Sequence, residues 1–488
     1  MGIPLYFSTI IKKYDNIISK QKPLNIDYYF LDFNGVIHPV CKNMLDTKTF
    51  TEDGLIKKLH TKVKNDTIEF KAKKTFICVD GSVPMAKIIQ QRKRRYLAVY
   101  RNKIDDVKPQ WDTNAITPGT EFMKKLDTYF ESNPQENVIY SGSNISGEGE
   151  HKIFQYLEKD DKICVINGLD ADLIILSLLS NKKNIYLMRE DVETTYVSID
   201  KLRNAIICEL TRKWEVNDSQ NSIDIIESYC VMCSLMGNDF IPHLLTLNFK
   251  SNGYEKLITY TGNSIRKNGL LVSEGKINYN TLIGIFQELN TTEDQDIHRE
   301  TEKYMKQCFN EETKPSEYYG FKNKALFTKE IYANLQKWRI IYYRMVFNTN
   351  ILTNTTVVQQ SCEQYLYGIY WTYHYYKKFE YDNTWFYPYQ YPPTIKDIYN
   401  YTIGNKSPVM IDNKFEIPNS IQLMIVMPRE SKELVNKRNR QFYENEQSSL
   451  YHLYPKEYSI QTYLKKHLWE CEPILPIINL KYISKYIK

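Results

Sequence analysis

VINGLDADLIILSLLSN, residues 165–181, sets an apolar run directly against two carboxylates, Asp170 and Asp172, just behind Gly168. The run up to Ile166 reads as a buried strand, and ADLIILSLLS reads as the helix that follows it. A buried carboxylate without a partner costs several kcal/mol, so such groups are normally paired, protonated or bound to metal. A divalent cation resolves the conflict most simply, and the rest of the chain must then supply further ligands.

Working outward, IDYYFLDFNG, KKTFICVDGS, NVIYSGS, DKICVINGLD and KNIYLMRE read as strands, several of them closed by Asp and Gly. EFMKKLDTYFES and EHKIFQYLEK read as helices between them. This alternation predicts an α/β fold, a mostly parallel sheet with helices on both faces. Ligand sites of such sheets lie beyond the carboxyl ends of the strands. Asp32, Asp80, Asp170 and Asp172 fall there. The pattern runs from about 26 to 245, within a first region, 1–250. Residues 251–325 are polar and weakly periodic, a connecting segment in which NTTEDQDIHRETEK is expected to be exposed. Residues 326–488 form a second, aromatic-rich region with LQKWRIIYYRMVF and YLYGIYWTYHYYKKFEYDNTWFYPYQYPP.

Composition narrows the class. With 42% hydrophobic and 25% charged residues, and no apolar run of membrane-spanning length, the chain reads as soluble and globular. Its start, MGIPLYFSTIIKKYDN, lacks the apolar block of a signal peptide, so a cytoplasmic setting is expected, with nuclear or virion interiors also compatible. Nine scattered cysteines give no disulfide framework, and the pair Cys230 and Cys233, one turn apart among apolar residues, reads as core thiols. The net charge of +6 is too small to establish a nucleic-acid partner. Its distribution says more, because QQRKRRY (90–96) concentrates four cations.

Seven carboxylates stand at element ends beside turn-forming residues: Asp32, Asp80, Glu148, Glu150, Asp170, Asp172 and Asp239. Singly, each reads as a cap or turn residue. Together they would repel unless cations sat among them. Hard oxygen donors without a His/Cys set point to Mg²⁺ or Mn²⁺. Two such ions suit phosphodiester hydrolysis. DGSVPMAKIIQQRKRRY runs from Asp80 into a helix on which Lys87, Gln91, Arg94 and Arg95 share one face, aimed at a terminal phosphate.

These stretches resemble the XRN-type 5′→3′ exoribonucleases. The matching segments are MGIPLYF, LDFNGVIH, VDGSVPMAKIIQQRKRRY, WDTNAITPGTEF, SGSNISGEGEHKI, GLDADLI, REDV and MGNDFIPHL, then YGIYWTYHYYKKFEYDNTWFYPYQYPP, QLMIVMP, LYPKEYSI and WECEPILP. The resemblance implies a nuclease region, 1–250, completed by the second conserved region, 326–488. It implies that the seven carboxylates hold metal and that Lys87, Gln91, Arg94 and Arg95 form the pocket for a 5′ monophosphate. It further implies that His38 stacks on the 5′ base, with Trp385 opposite it. The expected substrate is single-stranded RNA, digested processively to nucleoside 5′-monophosphates in mRNA turnover by a monomer. Met85 stands where the family has a basic residue, and SNISGEGE replaces a histidine-containing lead-in. The resemblance also implies a compact member without the β-rich accessory domains of larger relatives. Two other readings are a PIN-like, flap-type nuclease acting on DNA, whose sheet and acidic cluster are related, and an inactive RNA-binding scaffold.

Overall fold

The computed structural model describes residues 3, 5–157, 162–168, 170–190, 192–249, 252–309 and 312–487, except the side chains of 218–221. Met1, Gly2 and Pro4 of MGIPLYF, Leu169 of GLDAD and Asp191 of REDV lie outside the described residues.

Seven strands form one sheet: β1 (Ile18–Ser19), β2 (Tyr28–Asp32), β3 (Lys74–Cys78), β4 (Val138–Ser141), β5 (Cys164–Asn167), β6 (Ile185–Glu190) and β7 (Thr194–Ser198). Their order is β1-β7-β6-β5-β2-β3-β4. The five expected strands, β2 to β6, pair in parallel, while β7 and β1 add an antiparallel edge that was not foreseen. Strand β7, TTYVS, returns directly from β6 without a helix, so the βα alternation that revealed the others gives no cue to it. The runs are apolar throughout because both faces are covered. Successive residues alternate faces: Tyr28, Phe30, Phe76 and Ile166 join one core, Tyr29, Leu31, Ile77 and Val165 the other. Register fixes the functional edge, since Asp32 pairs with Cys78 and Leu31 with Asn167. The residues just beyond these strand ends therefore meet.

The second region is mainly helical and packs into the first core, with Tyr365, Trp371, Tyr373 and Tyr375 of helix Thr356–Lys377 fully enclosed or nearly so. NTTEDQDIHRETEK is not an exposed stretch. It forms much of helix Glu293–Lys306, with Ile297 and Thr301 wholly buried. Its acids signalled solvent but meet internal partners instead. Glu293 accepts the amides of Ile395 (2.6 Å) and Lys396 (2.9 Å) at the start of helix Ile395–Gly404, and Asp296 pairs with Lys256 and Arg299. Cys230 and Cys233 are buried free thiols on helix Asp218–Ser234, and burial raises the pKa of both. Among the described residues no helix is long and apolar enough to cross a membrane.

His243, in MGNDFIPHL, gives the fold a pH dependence. Its Nδ1 faces the Leu244 carbonyl at 2.9 Å and its Nε2 faces the Lys465 ammonium at 3.4 Å, which together define a neutral ring donating from Nδ1. Burial, then Lys465, pulls its pKa down to about 4. A histidine with a depressed folded-state pKa binds fewer protons than in the unfolded chain, so stability falls as pH drops from about 6.5 towards 4. One such proton contributes at most about 1.4 kcal/mol per pH unit. Denaturant melts of His243→Gln should show a shallower loss over that window; an unchanged slope would assign the acid sensitivity elsewhere.

Candidate active site

The acidic site lies at the carboxyl edge of the sheet, and each side chain reaches it for a local reason. Asp32 ends β2 and precedes helix Phe33–Asp46. Asp80 follows β3 by two residues, with its amide bonded to Asn34 Oδ1 (3.1 Å). Glu148 and Glu150 bracket the start of helix Gly149–Tyr156. Asp170 and Asp172 bracket the start of helix Ala171–Leu179. Helix starts favour carboxylates through unpaired amides and the helix dipole. Asp239 sits in the turn after helix Asp218–Ser234.

Backbone stitching brings the loops together. Gly81 donates to Gly147, and Gly147 to Ser82, at 2.9 and 2.7 Å. The Lys152 ammonium donates to the Val79 and Gly142 carbonyls at 2.6 and 2.8 Å, tying the ends of β3 and β4 to the GEGEHK helix. Gly149 lies directly against two of the acids. Its amide donates to Asp80 Oδ1 at 2.7 Å, and a Cβ there would stand 2.9 Å from Asp32 Oδ1 and 2.7 Å from the Cys78 carbonyl. No other residue type leaves room for both carboxylates.

Lys87, on helix Met85–Ile104, sits inside the cluster, 2.7 Å from Glu148 Oε2 and 2.8 Å from Asp239 Oδ2. Burial alone would lower its pKa, but Asp239, Glu148, Glu150 and Asp172 drive it well above the ordinary lysine value. The carboxylates divide accordingly. Asp239, although buried, is held down at about 2 by Lys87. Asp172 is pushed up to about 7 by burial and then by Asp239. Burial, then Asp80 and Asp170, raises Asp32 well above the usual range. Burial and Asp172 do the same to Glu150, and burial and Glu148 raise Asp80. Asp170 is solvent-exposed, yet its charge reaches Asp32 and Glu150. One ammonium does not neutralise seven acids, and this all-oxygen donor set fits a hard divalent cation. Among the described residues no three of these acids yet converge as a finished ligand shell. The Lys87 ammonium lies between Glu148 and Asp239.

The basic residues form the wall beside the acids. Arg94 is exposed, and its charge is felt at Asp239 and His38. Arg95 donates from one nitrogen to Thr117 Oγ1 at 2.8 Å, while its other terminal nitrogen and Gln91 Oε1 are buried without a protein partner. Thr117, from WDTNAITPGT, was not anticipated as the residue that aims Arg95. Arg92 is different: it donates to the Pro476 and Leu453 carbonyls at 2.7 and 2.6 Å and fastens the helix to the last part of the chain. Met85 is wholly enclosed in a third apolar cluster with Val83, Ile88 and Met424. His38 is exposed; surrounding protein, then Arg94 and Arg95, shifts its pKa downward. Trp385 packs on Tyr367 and Trp371 and donates to Gln364 (2.9 Å), and no described ring contact joins it to His38.

The second region reaches the site through several hydrogen bonds. Tyr375 donates to Glu148 Oε1, Met85 N bonds the Asn383 carbonyl at 2.8 Å, and Val83 N bonds Gln422 Oε1 at 2.9 Å. These contacts close a sheet edge carrying acidic side chains beneath a basic helix and an aromatic helical region. Comparison with known proteins goes further. Residues 1–191 match the family model of the XRN 5′-3′ exonuclease N-terminus, and 220–337 with 310–487 match that of the Xrn1 helical domain. The chain belongs to the XRN 5′-3′ exonuclease family. It is 24% identical to the 5′-3′ exoribonuclease 1 of Homo sapiens, over 99% of this chain and 34% of the relative. It is also 24% identical to that of Schizosaccharomyces pombe, over 98% of this chain and 48% of the relative. Against the 5′-3′ exoribonuclease 2 of Candida glabrata it is 28% identical over 60% of this chain and 38% of the relative. The chain thus spans between a third and a half of the length of the human and fission-yeast proteins.

Proposed function

We propose that this protein is a metal-dependent 5′→3′ exoribonuclease that digests 5′-monophosphorylated single-stranded RNA processively to nucleoside 5′-monophosphates. The observation that carries the reading is the buried Arg95 nitrogen left without a protein partner, within reach of the charge of Asp80, one of the seven acids at the sheet edge. Asp32, Asp80, Glu148, Glu150, Asp170, Asp172 and Asp239 would hold Mg²⁺ or Mn²⁺, two ions in this reading. Bound there, the metal supplies an activated water and charge stabilisation of the leaving 3′ oxygen. Arg95, Arg94 and Gln91 grip the terminal phosphate and set the first phosphodiester against the acids. Lys87 supplies positive charge from within the acidic cluster. His38, exposed beside the arginines, offers a stacking surface for the 5′ base. The protein works as a monomer in cytoplasmic RNA turnover.

The test uses one 3′-labelled RNA with a 5′ monophosphate, triphosphate or hydroxyl, and the matching DNA strand, with Mg²⁺ or EDTA. Mononucleotide release from the monophosphate RNA far faster than from the other strands, abolished by EDTA, is the expected result. Equal cleavage of DNA would replace it with the flap-type reading. Binding without cleavage of any strand would favour a scaffold.

A further inference from the structure

We propose that Tyr375 is a positioning residue that orients Glu148 for divalent-metal binding, an inference that rests on the metal-dependent reading of this site. Glu148 is held from both sides: Oε2 pairs with Lys87, and Oε1 accepts the Tyr375 hydroxyl. The phenol comes from helix Thr356–Lys377, 227 residues along the chain from Glu148. Its ring has little freedom. Trp371 stacks on it at 4.9 Å and 12°, while Phe240 and Tyr381 meet it edge-on at 5.0 and 4.8 Å. The His151 ring lies 4.1 Å away, and its Nε2 hydrogen-bonds the Tyr375 carbonyl at 3.2 Å.

Those neighbours matter because of what adjoins them. Phe240 follows Asp239 in the chain, and His151 follows Glu150. A single ring therefore touches Glu148 directly and braces the residues beside two more acids. Hydrogen-bonded partners of ligating carboxylates hold their orientation, and losing one typically weakens metal affinity about 10- to 100-fold. The buried ring also explains what the second region does for the first: it holds the Glu148 oxygen that Lys87 does not.

Tyr375→Phe keeps the ring and removes only the hydroxyl. The comparison is Tyr373→Phe, which deletes a similarly buried phenol–carboxylate bond from the same helix, to Glu227 (2.5 Å), a carboxylate outside the seven acids. Mn²⁺ binding to the full chain is measured by calorimetry without RNA, beside thermal melts and the metal titration of RNA hydrolysis. Tyr375→Phe is expected to weaken Mn²⁺ binding at least about tenfold and to move the hydrolysis midpoint to higher metal, with KM for RNA unchanged. Tyr373→Phe is expected to leave both unmoved. Unchanged Mn²⁺ affinity in Tyr375→Phe, an equal loss in Tyr373→Phe, or no Mn²⁺ binding by the wild type would each overturn the inference. Wild-type Mn²⁺ binding that falls in Tyr375→Phe, without any RNA hydrolysis, would instead remove the exoribonuclease reading and keep the positioning role.

Discussion

Asp172→Asn is expected to lower single-turnover hydrolysis of monophosphorylated RNA by about 10³-fold, while the metal-free chain melts no lower than the wild type. Loss of a ligand removes several kcal/mol of charge stabilisation, and about 1.4 kcal/mol corresponds to tenfold in rate. The stability half follows from the surroundings of Asp172. It is only 3% exposed, accepts no hydrogen bond among the described residues that the amide would lose, and lies beside Asp239, Asp170 and Glu150. Replacing a crowded charge by a neutral isostere relieves repulsion. Asp239→Asn removes a carboxylate from the same cluster with the opposite consequence for stability. Asp239 is the 2.8 Å partner of the buried Lys87, and taking it away leaves that ammonium undercompensated. Thermal melts in EDTA and single-turnover rates in Mg²⁺ separate the two cases. Retention of activity within tenfold in Asp172→Asn would remove that side chain from the metal-binding set.

The candidate acids stand out in the chain because burying them is costly. Seven acids at strand and helix ends have few structural uses, and β2, β3 and β5 announce themselves as unbroken apolar runs ending in Asp or Gly turns. What could not be read is pairing across distance. The spacing of Lys87, Gln91, Arg94 and Arg95 sets them along one side of helix Met85–Ile104 but says nothing of depth. Lys87 turns inward to Glu148 and Asp239, while Arg94 stays in solvent. Arg92, one residue from Gln91, looked like part of the same charge run and is a buried strut. Tyr375 was hidden among six tyrosines of YLYGIYWTYHYY, because composition cannot tell which hydroxyl of an aromatic helix meets a carboxylate. The same limit misled the reading of NTTEDQDIHRETEK. A charged helix whose acids cap another helix looks, residue by residue, like a solvated one.

Arg95→Met should cut kcat/KM for 5′-monophosphate RNA roughly 30- to 150-fold and leave the slow cleavage of 5′-hydroxyl RNA almost unchanged. The range corresponds to about 2–3 kcal/mol, the worth of a hydrogen bond to a charged group. Arg95 earns this prediction over its neighbours by geometry. Burial and the adjacent Arg94 pull its pKa below the ordinary guanidinium value, Thr117 fixes one nitrogen, and the other has no protein acceptor. A guanidinium does not release its proton in a protein, so the strain is relieved only by an anion. A terminal phosphate dianion meets that need, and a 5′ hydroxyl does not. Arg94→Met, at an exposed position, should produce a smaller loss that fades with salt, as screened charges do. Arg92→Met should behave in the reverse sense, lowering the melting temperature with the ratio of monophosphate to hydroxyl rates intact, because its bonds end on the Pro476 and Leu453 carbonyls. The three arginines lie within four residues of one helix, so composition and local charge are shared among them. Only the direction each side chain takes differs, and the ratio of rates on the two RNAs reads that direction. If Arg95→Met lowered both rates together, the guanidinium would be supporting the fold rather than selecting the 5′ end.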